Sequence, residues 1–559
     1  MQNHSELNSS PGHVGLDERS RRVGKFFYSV LFSIFITLEA ALALFIINWH
    51  HAASVALFFV LSFIFLISSY GTARQLVSLV TGYRSLPSLH NAPAGKHVAM
   101  LYTTMNDVVP ECLDSISQTY PCDVFILDDS TDEAKKRVVD TIASVKDYRI
   151  IRRSERKSYK AGAINNWFIK FGRDYDYIVL LDSDSYLPSD WVEEALKFAE
   201  HPSNGNVAVF QGMINIWNLD TRFVTVQAPM SRIGQFTWEE KLANELDAVF
   251  CYGHNVMIRM DALRQIEGFV EGYVSEDFAT AVSLSELGWK TRFVPLHTYE
   301  AMPENVRGFI RRQNKWTRGA MEFFTLSRKG ISRGKKFILL QTPLGHITNL
   351  LMPVGMFLTI YGFSSTKSGA SGFISSFISN PLQTYWSVPI LRFVLLSAIF
   401  FSAISAAVRF RTGIGYVANL RYRLLSAAIS SISIPYEIKS MLSYIVTGLK
   451  NIPVTPKNED VLSFREVLSI SRYSLIIEVA LFAGIVYVNP LGGVFNLTWL
   501  IPMMVAPVVI TRMSRKEQTH PLANEMSARK STCLYPDPAG VHRSLAHPLS
   551  THDPAGTRN

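Results

Sequence analysis

Cysteine and charge are what this chain has least of. Its 559 residues include four cysteines, Cys112, Cys122, Cys251 and Cys533, and none forms a C-x-x-C pair. That spacing excludes a zinc ribbon or a redox dithiol, and so few cysteines cannot staple a scaffold, so free thiols are expected. Charged residues make up 18% and hydrophobic ones 48%, whereas soluble domains carry about a quarter charged residues. The shortfall argues against a wholly soluble or disordered protein. The net charge of +9 does not call for nucleic acid, because a membrane protein with basic inner loops has the same balance.

Long apolar runs account for the imbalance. Residues 1–25 form a polar tail ending in Arg19, Arg21, Arg22 and Lys25. Phe26 to Trp49 is long enough to cross a hydrocarbon core of about 30 Å, and it lacks the short apolar stretch and small-residue cleavage site of a signal peptide. A second run over Ser54 to Ser69 makes 26–70 a transmembrane hairpin. Further runs at 343–363 and 388–408, then 473–489 and 494–511, complete a six-span reading with two helices in 343–408 and two in 473–511. Segment 409–472 is rich in Arg and Lys and is read as cytosolic or interfacial, while the opposite loop 364–387 carries only Lys367. The positive-inside rule then places residues 95–330 in the cytoplasm of a multi-pass cell-membrane protein. Residues 424–447, broken by Pro435, Glu437 and Lys439, either lie at the interface or enter the membrane. Met302 to Arg318 reads as an amphipathic helix on the membrane surface. The tail 515–559, rich in Ser, Pro and His, is expected to be disordered.

Residues 95–330 alternate strand and helix patterns, which predicts an α/β domain with a mainly parallel, doubly wound sheet. Predicted strands are His97–Thr103, Asp123–Leu127, Tyr177–Leu181, Val207–Phe210 and Thr291–Val294, with a helix over Val109–Gln118. Two strands run directly into acidic clusters, Asp128-Asp129 and Asp182-Ser183-Asp184. Ligands of such sheets bind beyond the carboxyl ends of strands. A lone Asp there is ordinarily a cap or turn former. Two clusters suggest a site, and the paired oxygen ligands Asp182 and Asp184 suit Mg2+ or Mn2+ shared with substrate phosphates. The chemistry suggested is departure of a nucleoside diphosphate, its growing charge neutralised by the metal.

The order Asp128-Asp129, Asp182-x-Asp184, Ser275-Glu276-Asp277 and Arg312-x-x-Lys315-Trp316 resembles that of family 2 glycosyltransferases, and within them the processive membrane synthases of cellulose, hyaluronan, chitin and periplasmic glucan. Lys160-Ala161-Gly162-Ala163-Ile164-Asn165 resembles their K-A-G-A-L-N segment. Gly253-His254-Asn255 followed by Arg259 resembles the G-H-N-x-x-x-R segment of the glucan enzymes, and Val454-Thr455-Pro456-Lys457 the V-T-x-K of the cellulose synthase gating loop. The resemblance implies a cytosolic GT-A-like (Rossmann-like) domain inserted between transmembrane helices. It implies that Asp128 and Asp129 hold the uracil and ribose, Lys160 the diphosphate, and Asp182 and Asp184 the metal. Asp277 would be the general base, with Glu276 capping it or touching the acceptor. Trp316, His254 and Asn255 would face the acceptor. Arg312, Lys315 and Arg318 would offset leaving-group charge, and Thr455 and Lys457 would close over the nucleotide. Arg156 and Lys157 read as a solvated turn, and His254 equally as a satisfied core histidine. Tyr299-Glu300-Ala301-Met302-Pro303 resembles a segment of the glucan enzymes and equally shapes a loop.

The chain departs from the family at Arg312, where Gln is usual, at Lys315, where Arg is usual, at Ser275 for Thr, and at Ile452 for the aromatic residue of the gating segment. Lys cannot form the planar fork of Arg. The resulting expectation is an inverting polymerase. It would use a nucleotide sugar, UDP-glucose first, to make a β-glucan that it passes through its own spans, alone, as a homo-oligomer or with accessory subunits. Two rivals remain open: a non-processive transferase acting on a lipid acceptor, and a transporter with a nucleotide-sensing domain. The second is disfavoured by the lack of inverted repeats and of charge pairs among the apolar runs.

Overall fold

In the computed structural model, residues 17–515 are described apart from single positions and short stretches, the longest being 363–374 and 449–460. Strands β1 (Val98–Thr104), β2 (Cys122–Asp128) and β4 (Tyr177–Leu181) are buried along almost their whole length. Continuous apolar runs of this kind suit parallel strands covered on both faces, and these three pair in parallel. The short β3 (Arg149–Ile151) adds to β2 at the edge. Beyond β4 lie β6 (Val256–Arg259), β5 (Val207–Ile216) and β7 (Lys290–Glu300), in the order β3-β2-β1-β4-β6-β5-β7. β6 runs antiparallel to both neighbours, whereas β5 and β7 are parallel. The sheet is thus mixed α/β with one reversed strand. β5 and β7 extend well past their predicted ends, and the predicted helix over 109–118 forms only as α3 (Pro110–Asp114).

The period of two along the strands divides the core. Met100, Tyr102, Val179 and Leu181 face Trp191 and Leu196 of α6 (Trp191–Ala199). Ala99, Leu101, Phe125, Ile178 and Leu180 face Ile164 and Trp167 of α5 (Tyr159–Phe171). Helices therefore cover both sides, each large aliphatic or phenyl side chain contributing roughly 1.5–3 kcal/mol by leaving water. The domain also holds α4 (Glu133–Lys146), α7 (Arg222–Thr237), α8 (Met260–Gln265), α9 (Glu276–Glu286) and α10 (Val306–Glu322). α10 starts at Asn305, whose side chain accepts the N–H groups of Arg307 and Gly308 at 2.9 and 3.1 Å, a cap that contributes about 1 kcal/mol.

Flanking the domain are α1 (Glu18–Phe45) and α2 (Ala52–Val80) before it, and α11 (Arg333–Gly362), α12 (Pro381–Ser387), α13 (Pro389–Thr412), α14 (Tyr416–Thr447), α15 (Phe464–Val488) and α16 (Pro490–Met513) after it. Among the described residues three helical segments are long and apolar enough to cross a membrane: Glu18–Leu44, Ala52–Val80 and Arg333–Thr359. The apolar face of α10 meets protein. Val306 and Ile310 pack on Leu425, Ala428, Ile429 and Ile432 of α14, and Ala320 and Met321 on its Met441. A neighbouring helix thus covers much of the apolar stripe of Met302–Arg318. His346 of α11 stands 3.5 Å from Glu437 of α14, and Asn349 and Ser433 donate to the same carboxylate.

Candidate active site

Parallel strands deliver their carboxyl ends to one edge of the sheet, and both acidic clusters stand there. After β2, Asp128 accepts the Ser130 N–H at 2.9 Å and pairs with Arg152 at 2.7 Å. Asp129 pairs with Arg153, which also donates to the carbonyl of Lys157 at 2.7 Å and to that of Tyr159. Both arginines follow directly on β3. Gly162 of α5 faces this clamp, where a Cβ would sit 2.0 Å from the Lys157 carbonyl oxygen and 2.5 Å from Arg153.

After β4, Lys160 from the first turn of α5 donates to Asp182 and to the Gly253 carbonyl at 2.7 Å. His254 lies 3.8 Å from the other Asp182 oxygen. Burial pushes the Asp182 carboxyl up, but Lys160 and His254 outweigh it and hold it well below the usual carboxylate range. Burial lowers His254, yet Asp182 and Glu300 raise it to about 9. The ring is therefore an imidazolium, with Nδ1–H donating to Tyr252 O at 2.9 Å and Nε2–H to Glu300 at 2.7 Å. Both nitrogens are engaged, as in the core-histidine reading. Burial also lowers Lys160, but Asp182, Glu276 and Asp277 together raise it. Asp184 is buried; its carboxylate accepts the Ala301 N–H at 3.2 Å and its carbonyl the Trp217 indole N–H at 2.9 Å. Asp107 ties this turn to the end of β1, accepting from Thr104 at 3.0 Å and from Ser183 at 2.8 Å.

Glu276 and Asp277 form the first turn of α9, where the positive end of the helix favours them. Gly253, at φ +78°, lies flat against Asp277, and a Cβ there would sit 2.4 Å from its Oδ2. The Lys160 ammonium thus joins Asp182 of the DxD turn to Gly253, which packs against Asp277. Burial and the Asp277 charge push Glu276 up to about 7, against the pull of Lys315 and Lys160. Arg312 is half-buried; its guanidinium lies 4.7 Å from the Trp316 ring centre and 5.4 Å from that of Phe309. Trp316 itself is 50% exposed, so the indole keeps open surface beside Arg312.

The fold therefore gathers Lys160, Asp182, Asp184, His254, Glu276, Asp277, Arg312 and Lys315. Three expected residues stand elsewhere: Asp128 has no exposed side-chain surface, Asn255 is fully buried with its amide donating to Tyr299 O at 3.2 Å, and Arg318 donates to Ser440 of α14 at 2.8 Å. Thr455 and Lys457 lie outside the described residues. Sequence reasoning missed Arg152, Arg153 and Asp107. The Arg-Arg pair follows a strand too short to be read, so nothing signalled where it points. No group of three or more His, Cys, Asp or Glu side chains is placed to hold a metal among the described residues.

The profile described as "Glycosyl transferase family group 2" matches residues 177–438, from β4 into α14. "Glucans biosynthesis glucosyltransferase H" of Rhodopseudomonas palustris is 27% identical over 271 residues, 43% of this chain and 36% of that protein. "Probable glucomannan 4-beta-mannosyltransferase 15" of Arabidopsis thaliana is 29% identical over 239 residues, 40% of this chain and 44% of that protein. The chain spans less than half the length of these relatives. A solved mannosyltransferase from Pyrobaculum calidifontis, in complex with GDP-Man and Mn2+, aligns over 65% of this chain and 98% of its own, at 17% identity and a TM-score of 0.44. The matched segment contains the DxD turn, the Glu276-Asp277 turn and the tryptophan motif, so the similarity to family 2 glycosyltransferases falls on the residues that build this site.

Proposed function

We propose that the protein is an inverting, processive membrane glycosyltransferase that extends a β-linked polysaccharide from a nucleotide sugar, with UDP-glucose as donor. The observation that carries this reading is Lys160, which ties Asp182 of the DxD turn to Gly253, the residue packed against Asp277. A donor diphosphate at Asp182 would then leave next to the carboxylate that activates the acceptor. The acceptor hydroxyl is a weak nucleophile, and Asp277 removes its proton as the new bond forms. Displacement in one step inverts the anomeric centre. Lys160 and Lys315 offset the charge of the leaving diphosphate. Trp316 offers its open face to the acceptor sugar, held in place by Arg312. Asp129 and Arg153 line the nucleoside end, and Asp128 orders the turn that carries Asp129. Thr455 and Lys457 close over the nucleotide.

The residues suit a divalent cation. Asp182 is anionic and its side chain is 39% exposed, and a hard ion held by one or two carboxylates completes its shell with substrate phosphates. Asp182 would hold Mg2+ or Mn2+ with Asp184 behind it. When bound, the ion neutralises negative charge on the diphosphate.

Six spans, α1, α2, α11, α13, α15 and α16, would carry the domain on the cytoplasmic side of the cell membrane, with α14 alongside α10. The polymer passes between them, in a single copy, a homo-oligomer or a complex with accessory subunits. Similarity to glucomannan mannosyltransferases as well as glucosyltransferases favours GDP-mannose as the second donor to test. Purified protein incubated with each radiolabelled donor should release the nucleoside diphosphate and yield long chains. Single-sugar lipid products would overturn processivity, and no turnover of any nucleotide sugar would overturn the activity.

A further inference from the structure

Glu322 ends α10, where a carboxylate is out of place, because the carbonyl end of a helix carries partial negative charge. It is also only 1% exposed, and a buried carboxylate needs strong partners. Those partners come from the turn before the proposed base. Glu322 Oε2 accepts the N–H of Val274 at 2.7 Å and that of Ser275 at 3.2 Å. Its Oε1 accepts the hydroxyl of Tyr444, on α14, at 3.4 Å. Ser275 is the N-cap of α9 and makes no side-chain cap bond. Glu322 supplies an anchor for this turn from another helix. The contact is close along its length: a Cβ on Gly319, one turn earlier in α10, would sit 2.0 Å from the Ser275 hydroxyl oxygen.

We propose that Glu322 is a positioning residue for sugar transfer: it grips the Val274–Ser275 backbone so that the Asp277 carboxylate stands where the acceptor hydroxyl arrives, with Tyr444 holding its second oxygen. The inference rests on the reading of Asp277 as the base. Bonds from N–H groups to a carboxylate are charge-assisted and directional, and two from adjacent residues fix both the place and the tilt of the helix start. A misplacement of roughly 1 Å in a reacting group lowers the rate about 10²-fold. Glu322 is closed off from solvent and touches no substrate, so its loss acts on the chemical step and not on donor binding. α10 bears the tryptophan motif on the same helix, so one element sets both the acceptor platform and the base.

The test uses the purified full-length protein with UDP-glucose, or with GDP-mannose where that donor is the one turned over. Glu322→Ala should lower kcat about 10²-fold, with donor KM within about twofold. Glu322→Asp shortens the arm by one methylene and should lower kcat about 10-fold. Glu322→Gln keeps an acceptor oxygen and should restore kcat to within about threefold. In an Asp277→Asn background Glu322→Ala should add no further loss, since residues that act as a unit are non-additive. Wild-type kcat in both Glu322→Asp and Glu322→Ala would overturn the proposal. So would donor KM rising in step with lost kcat, or a full additional loss in the Asp277→Asn background. Where Glu322→Ala does not fold, wild-type kcat in Glu322→Asp overturns it by itself. An Asp277→Asn variant as active as the parent would overturn the base reading and the role of Glu322 with it, a result separate from every Glu322 outcome.

Discussion

Two turns of this domain look alike in sequence and differ in the fold. Asp128-Asp129 and Asp182-Ser183-Asp184 each close a largely apolar parallel strand, and both stand at the carboxyl edge of the sheet. The first is clamped by Arg152 and Arg153, and Asp128 is closed to solvent. The second faces Lys160 and His254, and Asp182 remains 39% exposed. The difference comes from the neighbouring strands. β2 lies beside the short edge strand β3, which ends in two arginines. β4 lies at the centre of the sheet beside the reversed β6, so the loop that enters β6 brings Gly253 and His254 to the same edge. Arginine forks occupy a carboxylate with several fixed donors, whereas a single ammonium leaves most of it open. The same motif chemistry yields an ordered turn in one place and an available anion in the other.

The contrast makes predictions of graded size. The largest effects should fall on the second turn. Excess chelator should abolish turnover, and Asp182→Asn should lower kcat by about 10²–10³-fold while the protein keeps its fold. Turnover unaffected by chelator, measured by release of nucleoside diphosphate, would break the metal reading. Next comes Asp277→Asn, which keeps size and hydrogen bonding but removes the proton acceptor. Polymer synthesis should fall about 10²-fold or more, while calorimetry finds nucleotide affinity changed by less than about threefold. Parallel loss of affinity would make Asp277 a donor-site residue. Gly253→Ala, which would put a Cβ 2.4 Å from the Asp277 carboxylate at a φ of +78°, should lower kcat about tenfold through the same base.

The first turn should respond differently. Arg153→Ala should raise donor KM by about tenfold and leave kcat nearly unchanged. Asp128→Asn leaves Arg152 without its buried partner, and a loss of about 1–2 kcal/mol is expected, the arginine being partly solvated. It should appear as a lower Tm in detergent with donor KM unchanged. An Asp128→Asn variant with normal Tm and weakened donor binding would erase the distinction between the two turns.

The smallest effect concerns pH. The folded pKa of Glu276, about 7, lies above its unfolded value, because burial and Asp277 oppose ionisation. The stability contributed by the protonated form is complete below the unfolded carboxylate range and is lost as pH rises through about 7. Thermal stability should therefore decline between about pH 5 and pH 8, and Glu276→Gln should flatten the decline. An identical pH dependence in parent and variant would show that Glu276 is not the group responsible.

Much of the site was legible because its chemistry is written in short motifs with local geometry. A buried strand followed at once by aspartates can point them only to the sheet edge, and the acidic turn can favour only a helix start. His254 and Asn255 show where legibility stops. They are adjacent in sequence, yet one spans Tyr252 and Glu300 beside Asp182 while the other is sealed behind β7. Which way each faces is set by the left-handed turn at Gly253 and Asn255, which no period in the sequence announces.

By itself, the sequence determined the membrane character, the α/β domain between apolar helices, the main parallel strands and the order of the motifs. Each of these depends on hydrophobic pattern or on residues within a few positions of one another. Only the tertiary structure decided that Arg152 and Arg153 close the first acidic turn, that α14 covers the apolar stripe of α10, and that Glu322 anchors the turn before Asp277. Those contacts join residues far apart along the chain, and their partners are selected by packing geometry, which local propensity does not encode.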